Sequence, residues 1–347
     1  MRQLGGPPML EPTSAQTATP LQYVADHRDI HIDGTARRTA TDPHQAAKAV
    51  TAEITDRIAA VLDAYPGQPT VLLSGGVDSI LVAATAVHLG KRPHAITVVT
   101  EGETDDETPA RAAAQALNIT HDVITLGPAD VVRVAKQAVS ALDTSELWEI
   151  AAAMPILAAQ SAIQAHEAEQ AGPVSILTGS GADAIFAGGR PVTSPVDSLD
   201  ATIELDKLVR DEVGKNFVRD RLIPDFYERI LGDKADKLIH VFQTERFWEL
   251  GEQLAPPALF VPRDGDVCDK AALRIACEAL LPADAAYLAW TRKSPIQRSS
   301  GLFAALADAA RAAAAELPGA QTYTDPRTES FEAVATRLYL ARLAGNV

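Results

Sequence analysis

The 347-residue chain has few of the residues that would assign it to several common protein classes. Its two cysteines, Cys268 and Cys277, are nine positions apart, which fits neither a CxxC metal pair nor a disulfide framework. The eight histidines form no complete ligand spacing, so no zinc site is predicted. No apolar run is long enough to span a membrane, and the N-terminus lacks the apolar core of a signal peptide. We therefore expect a cytoplasmic protein without a membrane partner.

Basic residues are also scarce in this chain. Lys and Arg number 31 against 46 Asp and Glu, which gives a formal net charge of −15 at pH 7. A broad nucleic-acid surface needs a basic face, so this balance argues against a nucleic-acid partner. The hydrophobic fraction of 47% is ordinary for a globular chain with a full core.

The chain divides into four segments by composition and pattern. Residues 1–20 are rich in Pro, Thr, Ser and Gly and predict a flexible tail. Residues 21–64 predict a small hairpin at 29–35 and then a helix from about His44 to Ala64. Residues 65–195 alternate strand and helix patterns, whereas helical patterns dominate residues 196–347.

The alternating segment predicts an α/β fold. Strands are predicted at 70–74, 94–99, 121–126 and 174–178, and helices at 78–89, 104–117, 128–140 and 146–171. Further helices are predicted at 203–214, 222–231, 245–254, 269–281, 301–316 and 329–344. Such alternation favours a doubly wound parallel sheet that binds its ligand at the carboxyl ends of the strands.

A glycine loop follows the first of these strands. The run Val71–Ser79 reads VLLSGGVDS and is followed by an apolar, Ala-rich helix. Gly75 and Gly76 let the backbone approach a ligand, and the positive end of the helix favours an anion. No Lys follows as in a Walker loop, and the third Gly of a dinucleotide fingerprint is missing. Asp78 adds a carboxylate that suits Mg²⁺ beside a phosphate.

A second glycine loop with an acid follows the fourth predicted strand. The run Ser175–Gly189 reads SILTGSGADAIFAGG, so Asp183 lies at the end of another strand. An acid at the end of a second strand suits a Mg·ATP site, because magnesium usually takes one or two protein carboxylates together with phosphate oxygens.

These motifs resemble those of a known superfamily. The SGGVDS string resembles the pyrophosphate loop of the N-type ATP pyrophosphatases, which cleave ATP between the α and β phosphates. The second loop resembles that of asparagine synthetases and still more that of β-lactam synthetases. A third segment, from Lys270 to Pro282, resembles a helix of asparagine synthetases that ends in Leu-Pro. The resemblance implies a fold of the ATP-pyrophosphatase type, with ATP and Mg²⁺ as cofactors.

The resemblance also implies roles for individual residues. ATP binding falls to Ser74, Gly75, Gly76, Asp78, Ser79, Gly179 and Gly181, with the adenine near Val98. Asp78 and Asp183 are implied to be the magnesium carboxylates, with Asp183 facing Asp78 across the pyrophosphate. Lys293 matches the lysine that stabilises the leaving pyrophosphate. Glu245 stands near a family glutamate in a loosely aligned stretch, where an exposed helix N-terminus explains it equally well. Trp148 and Met154 are interpreted mainly as core residues. A role in lining the substrate pocket is the alternative for both.

Two departures from the family pattern bear on function. Met1 is followed by Arg2, and the residues before Ser74 are too few for the glutaminase domain of asparagine synthetases. The nitrogen is therefore expected from ammonia, a separate amidotransferase or an amine. Binding to a carrier partner and assembly into a homo-oligomer are further alternatives. Ser180 stands where the families have Glu or Tyr beside the reacting centre, which disfavours aspartate as substrate.

These observations predict an ATP-dependent ligase that adenylates a small-molecule or peptide carboxylate and transfers the acyl group to ammonia or an amine. The resemblance associates such stand-alone domains with secondary metabolism. Two alternatives remain at this stage. One is another adenylating ATP pyrophosphatase, such as a tRNA- or nucleobase-modifying enzyme, and the other is a non-catalytic nucleotide-binding subunit.

Overall fold

A parallel sheet organises the protein. The structure, a computed structural model, describes residues 14, 17–102, 104–219, 221–292 and 294–345. Its sheet contains β1 (Thr70–Leu72), β2 (His94–Thr100), β3 (His121–Leu126), β4 (Ile176–Thr178) and β5 (Leu238–His240). All of these strands are parallel, in the order β3-β2-β1-β4-β5. This arrangement confirms the predicted α/β fold of the doubly wound type.

Helices flank the sheet and fill most of the rest of the chain. The α-helices are α1 (Val24–His27), α2 (Pro43–Ala64), α3 (Val77–His88), α4 (Glu107–Ala116), α5 (Pro128–Leu142), α6 (Leu147–Ala168), α7 (Ala182–Ile185), α8 (Leu199–Asn216), α9 (Phe226–Leu231), α10 (Glu245–Gln253), α11 (Pro256–Leu259), α12 (Ala271–Leu280), α13 (Ile296–Ser299), α14 (Leu302–Ala315) and α15 (Phe331–Leu343). Short 3-10 helices span Thr35–Arg37, Gly232–Lys237, Ala283–Trp290 and Pro326–Thr328, and a small antiparallel pair joins β6 (Val261–Arg263) to β7 (Asp266–Cys268).

Alternate strand residues feed two separate apolar cores. Val71 and Leu177 join the core that contains α2, α3, α4 and α12. Ile96 and Ile176 face the opposite side, in the core formed with α5, α6 and α9. Because successive strand side chains point to opposite faces, the fully buried strands β2, β4 and β5 are explained by burial on both sides of the sheet.

The order of the strands creates a switch point between β1 and β4. From β1 the chain continues through β2 to β3 on one side, and it then returns to place β4 and β5 on the other. In open α/β sheets a ligand crevice lies outside the carboxyl ends of the two strands that flank such a point. The two glycine loops follow β1 and β4, so the topology brings them to the same crevice.

The predicted hairpin at residues 29–35 is not formed. The Asp29 carboxylate accepts the His31 N–H, and the Asp33 carboxylate accepts the Thr35 N–H, each at 2.9 Å. These local turns replace the ladder that the alternating pattern suggests, because Asp side chains compete for backbone donors. The chain continues into a 3-10 helix instead.

The N-terminal segment lies against the edge of the sheet. Buried Arg57 of α2 donates hydrogen bonds to the carbonyls of Thr17 and Thr19, and Pro20 accepts the His240 N–H at 2.9 Å. Residues 17–20, grouped with the predicted tail, are thus in contact with the core; the remainder of that tail, except Ser14, lies outside the described residues. Among the helices described, none combines the length and apolar character needed to cross a membrane.

Candidate active site

The first glycine loop is held in shape by its own hydroxyl groups. The Ser79 hydroxyl accepts the Ser74 N–H at 3.1 Å and donates to the Gly76 carbonyl at 3.1 Å. Gly75 has φ +71°, and a Cβ on it would lie 2.8 Å from the Asp106 carbonyl. Only glycine fits this turn without strain. Ser79, predicted to bind nucleotide, is buried and engaged within the loop.

The loop ends at the N-terminus of α3. Its N-cap residue is Gly76, which has no side chain to cap the helix. The N–H groups of the first turn, which begins at Val77 and Asp78, have no partners within the helix. They and the helix dipole make this turn suitable for an anion such as a phosphate.

The second glycine loop packs directly against the first. A Cβ on Gly179 would lie 2.8 Å from the Asp78 carbonyl carbon and 2.8 Å from the Ser79 nitrogen. Gly181, at φ +100°, is the N-cap of α7 and also leaves no room for a side chain, because Gln243 is 2.6 Å from its ideal Cβ position. The glycines thus allow the two loops to approach within van der Waals contact.

Lys270 joins the two acids of these loops. Its ammonium donates to Asp78 Oδ1 at 3.0 Å, to Asp78 Oδ2 at 2.8 Å and to Asp183 Oδ1 at 2.7 Å. The Asp78 side chain is 18% exposed and that of Asp183 is 66% exposed. The structure therefore brings the two predicted metal ligands together around one cation.

Burial and charge act on this cluster in opposite directions. Burial would lower the pKa of Lys270, but Asp78 and Asp183 outweigh it and raise the pKa above the usual range of lysine. Burial and the Asp183 carboxylate raise the pKa of Asp78, while Lys270 opposes them. Two carboxylates and one ammonium leave a negative charge that a further cation can neutralise.

A rigid turn presents Lys270 to the acids. Its φ of +52° lies in the left-handed region, which is uncommon for a residue with a side chain. Arg274 fixes this turn by donating to the Asp269 carbonyl at 2.8 Å and to Asp269 Oδ1 at 2.9 Å. Arg274 also donates to the Thr291 carbonyl at 3.2 Å, two residues before Lys293.

Lys270 is a site residue for which the sequence assigned no role. Its only signal was its position at the start of the segment that resembles the Leu-Pro helix. Lys293, for which a role was assigned, lies outside the described residues.

Ser180 lies among polar groups at the carboxyl ends of β4 and β5. Gln243 Nε2 donates to the Ser180 hydroxyl at 3.3 Å. The half-buried ring of Tyr227 lies next to this group, tilted by 45° against the ring of His240 with centroids 4.2 Å apart. Burial raises the pKa of Tyr227, so the phenol stays neutral and can donate a hydrogen bond.

His240 completes this polar group as a neutral imidazole. Its Nδ1 lies 3.3 Å from Thr178 Oγ1, and its Nε2 has no hydrogen-bond partner within the described residues. Burial, with the nearby charges of Arg57 and Arg221, lowers the pKa of His240 to about 3. Tyr227 and His240 come from outside the predicted motifs, and Gln243 begins the loosely aligned stretch that contains Glu245. The sequence patterns assigned no role to any of these three residues.

The predicted adenine region lies at the end of β2. Val98 is buried within the strand, paired to Ile124 of β3. Two residues later, the Thr100 N–H donates to the Ser300 carbonyl at 2.9 Å. The segment just before α14 therefore covers the carboxyl end of β2.

Three further residues that the sequence singled out are Glu245, Trp148 and Met154. Glu245 begins α10; the hydrogen bond and ion pairs found for it are all with the N-terminal segment, at Gln22, His27 and Arg28. It is Gln243, two residues earlier, that reaches Ser180. Trp148 is half-exposed at the start of α6 and packs edge-on against Phe303, whereas Met154 of the same helix is fully buried.

The family model of asparagine synthase matches residues 67–247, a stretch that contains both glycine loops and both acids. The chain belongs to the asparagine synthase family. Membership places this asparagine synthase-family protein in the general class of ATP-dependent amide-forming or adenylating enzymes, and the class implies ATP as a reactant. No curated protein matches the chain at a significant level.

Two solved structures are similar to this family member. The NMN synthetase from Francisella tularensis is 16% identical, with a TM-score of 0.31, and the match covers 65% of this chain and 100% of that one. The NAD+ synthetase from Burkholderia pseudomallei is 14% identical, with a TM-score of 0.27, and the match covers 65% and 96% of the two chains. With scores this low, these likenesses give no information about the substrate.

Proposed function

We propose that this protein is an AMP-forming ligase that adenylates a substrate carboxylate and transfers the acyl group to ammonia or an amine. One observation carries the proposal. Two glycine loops from β1 and β4 meet at the switch point and direct Asp78 and Asp183 to a single cation. A phosphate-binding helix N-terminus beside two carboxylates is suited to a magnesium nucleotide.

The two carboxylates fit a magnesium ion by their chemistry. Mg²⁺ binds oxygen ligands and takes one or two protein carboxylates together with phosphate oxygens and water. The position between Asp78 and Asp183 holds an ammonium in this structure, which supports a cation site there. When bound, Mg²⁺ would supply positive charge against the phosphate oxygens.

The protein's own groups would act on both steps of the reaction. In the first step, a substrate carboxylate oxygen attacks the α-phosphorus of ATP, and the bond to the pyrophosphate breaks. The N–H groups at the start of α3 and the ammoniums of Lys270 and Lys293 would stabilise the charge on the pyrophosphate. In the second step an amine attacks the acyl carbon, loses a proton and displaces AMP, a step governed chiefly by positioning.

The polar group around Ser180 would select the acid. The Ser180 hydroxyl already accepts from Gln243, and Tyr227 is a further neutral neighbour. The proton of the Ser180 hydroxyl can therefore be donated to a substrate oxygen. The guanidinium of Arg221, whose charge acts on Tyr227, is already paired with Glu149 at 2.7 Å. We therefore favour a larger or less charged acid than aspartate. Ammonia, an amine or a separate amidotransferase would supply the nitrogen.

Product analysis tests the proposal. The protein is incubated with Mg·ATP, ammonium and a panel of carboxylic acids that includes aspartate, beside the Asp78→Ala variant. We expect AMP and pyrophosphate in equal amounts, only with particular acids and only in the wild type. ADP and phosphate as products would contradict the proposed reaction. A preference for aspartate would contradict the proposed choice of substrate.

The two buried free cysteines fit a cytoplasmic setting, where ATP is available.

A further inference from the structure

A lysine side chain occupies the place between the two acids. Lys270 contacts both oxygens of Asp78 and one oxygen of Asp183, all at 3.0 Å or less. Its ammonium is almost completely buried, with the side chain only 8% exposed. A buried ammonium needs anionic partners, and the two carboxylates supply them.

The carboxylates alone are a weak site for a divalent cation. Among the described residues, no group of three or more His, Cys, Asp or Glu side chains is placed to hold a metal ion. A free Mg²⁺ ion would therefore gain at most two protein ligands, and it would meet the repulsion of the ammonium at close range.

A nucleotide changes this balance. Its phosphates offer oxygen ligands that complete the coordination of the metal, and they offer the ammonium new anionic partners. The four-carbon stem of Lys270 can move its charge without moving the turn that Arg274 holds.

We propose that Lys270 is an internal substitute for the metal, which excludes a free divalent cation and yields its place only when metal and nucleotide arrive together. The inference rests on the proposed magnesium–nucleotide site, and it adds an order of binding. Metal alone binds poorly, and the two carboxylates are kept partly neutralised on one ammonium until the nucleotide enters.

Metal binding without nucleotide tests this exclusion. Mn²⁺ is titrated into the whole protein at pH 8 and followed by electron paramagnetic resonance, with no ATP present. For the wild type we expect a Kd weaker than about 1 mM, as in the weakest oxygen-ligand sites. In the Lys270→Met variant, which keeps most of the stem and loses the charge, we expect Mn²⁺ binding about tenfold tighter, because one close positive charge is removed.

Matched variants separate the site from general charge effects. Lys237→Met removes a lysine that pairs with Glu167 at a distant place, and it should leave Mn²⁺ binding unchanged. The double variant Lys270→Met with Asp183→Asn should lose the tighter Mn²⁺ binding of the single Lys270→Met variant. Lys270→Gln serves if the Met variant does not fold, as judged by its thermal unfolding.

Two outcomes would overturn the inference. One is tight Mn²⁺ binding by the wild type without nucleotide, a result that needs no variant. The other is a folded Lys270→Met or Lys270→Gln protein that binds Mn²⁺ no better than the wild type. Neither result depends on turnover, so failure of this inference is distinct from failure of the proposed ligase reaction, which product analysis decides.

Discussion

The two acid-bearing loops are built alike but lie in different surroundings. Each follows a parallel strand, turns on glycine and places an aspartate in the first turn of a helix. The first loop leads into α3, twelve residues long, and Asp78 is largely buried with both oxygens on Lys270. The second leads into a single turn, α7, and Asp183 is exposed with one oxygen on Lys270.

The difference separates two tasks within one site. The first loop is closed by its own hydrogen bonds and by the long helix behind it, so it offers a fixed surface to a phosphate. The second is braced mainly by side chains from other elements, such as Gln243. Such a loop can adapt to a substrate, which suits it to contact the variable acid.

Replacement of the two acids tests this comparison most directly. We expect Asp78→Asn to lower the rate of pyrophosphate release by about 10³-fold, because no water or neighbour can replace a buried charge. Asp183→Asn should cost less, about 10²-fold, since solvent reaches its position. Initial rates are measured with an acid found by product analysis, and added Mg²⁺ should partly restore only the Asp183 variant.

Asp308→Asn is the control for this pair, because Asp308 is exposed on α14 and its ion pair among the described residues is with nearby Arg311. It should leave the rate unchanged. Equal losses in both site variants, with equal response to Mg²⁺, would remove the distinction between a fixed and an adaptable acid.

The bracing of the second loop predicts an acid-sensitive stability. His240, which contacts Thr178 at the base of that loop, has its pKa lowered from 6.5 to about 3 by burial. The unfolded chain thus binds more protons than the folded one between these values, so stability is full above pH 6.5 and falls as the pH drops toward 3. From pH 7 to 4.5 we expect a loss of about 2–3 kcal/mol from this group.

Urea unfolding at the two pH values measures that loss. The His240→Gln variant should be less stable at pH 7 and should show a pH dependence that is smaller by the same amount. His44→Gln, on the exposed first turn of α2, is the matched control and should keep the wild-type slope. If His240→Gln kept that slope as well, the histidine would not be the cause.

The contact between the loops gives a smaller effect. Gly179 does not have a positive φ, so alanine is compatible with its backbone, and the cost comes only from a Cβ placed 2.8 Å from the backbone of Asp78 and Ser79. We expect Gly179→Ala to destabilise the protein by about 2 kcal/mol and to slow pyrophosphate release about tenfold. Gly172→Ala, whose Cβ would lie 3.5 Å from its nearest neighbour, should change neither.

The sequence predicted the two glycine loops better than it predicted the residues that contact and support them. A strand, a glycine turn and an acid are local features, so Asp78 and Asp183 could be identified from single stretches of chain. Lys270 meets them from 192 and 87 positions away and depends on a left-handed turn that no pattern predicts. Strand β5 has three residues, too few to show a periodicity, so no pattern placed His240 beside the second loop.

The last and smallest expected effect concerns one hydroxyl in each loop. Ser180→Ala removes a hydroxyl that accepts from Gln243 and that we propose donates to the acid. Ser79→Ala removes the hydroxyl that joins Ser74 to Gly76 in the phosphate loop. A single hydrogen bond contributes about 1 kcal/mol, so each change should alter a KM by about fivefold.

If the loops divide their tasks as proposed, Ser180→Ala raises the KM for the carboxylic acid and leaves the KM for ATP within about twofold. Ser79→Ala then raises the KM for ATP and leaves that for the acid nearly unchanged. Parallel changes in both KM values in either variant would mean that the loops act as one unit, and the contrast between a fixed phosphate loop and an adaptable substrate loop would then be wrong.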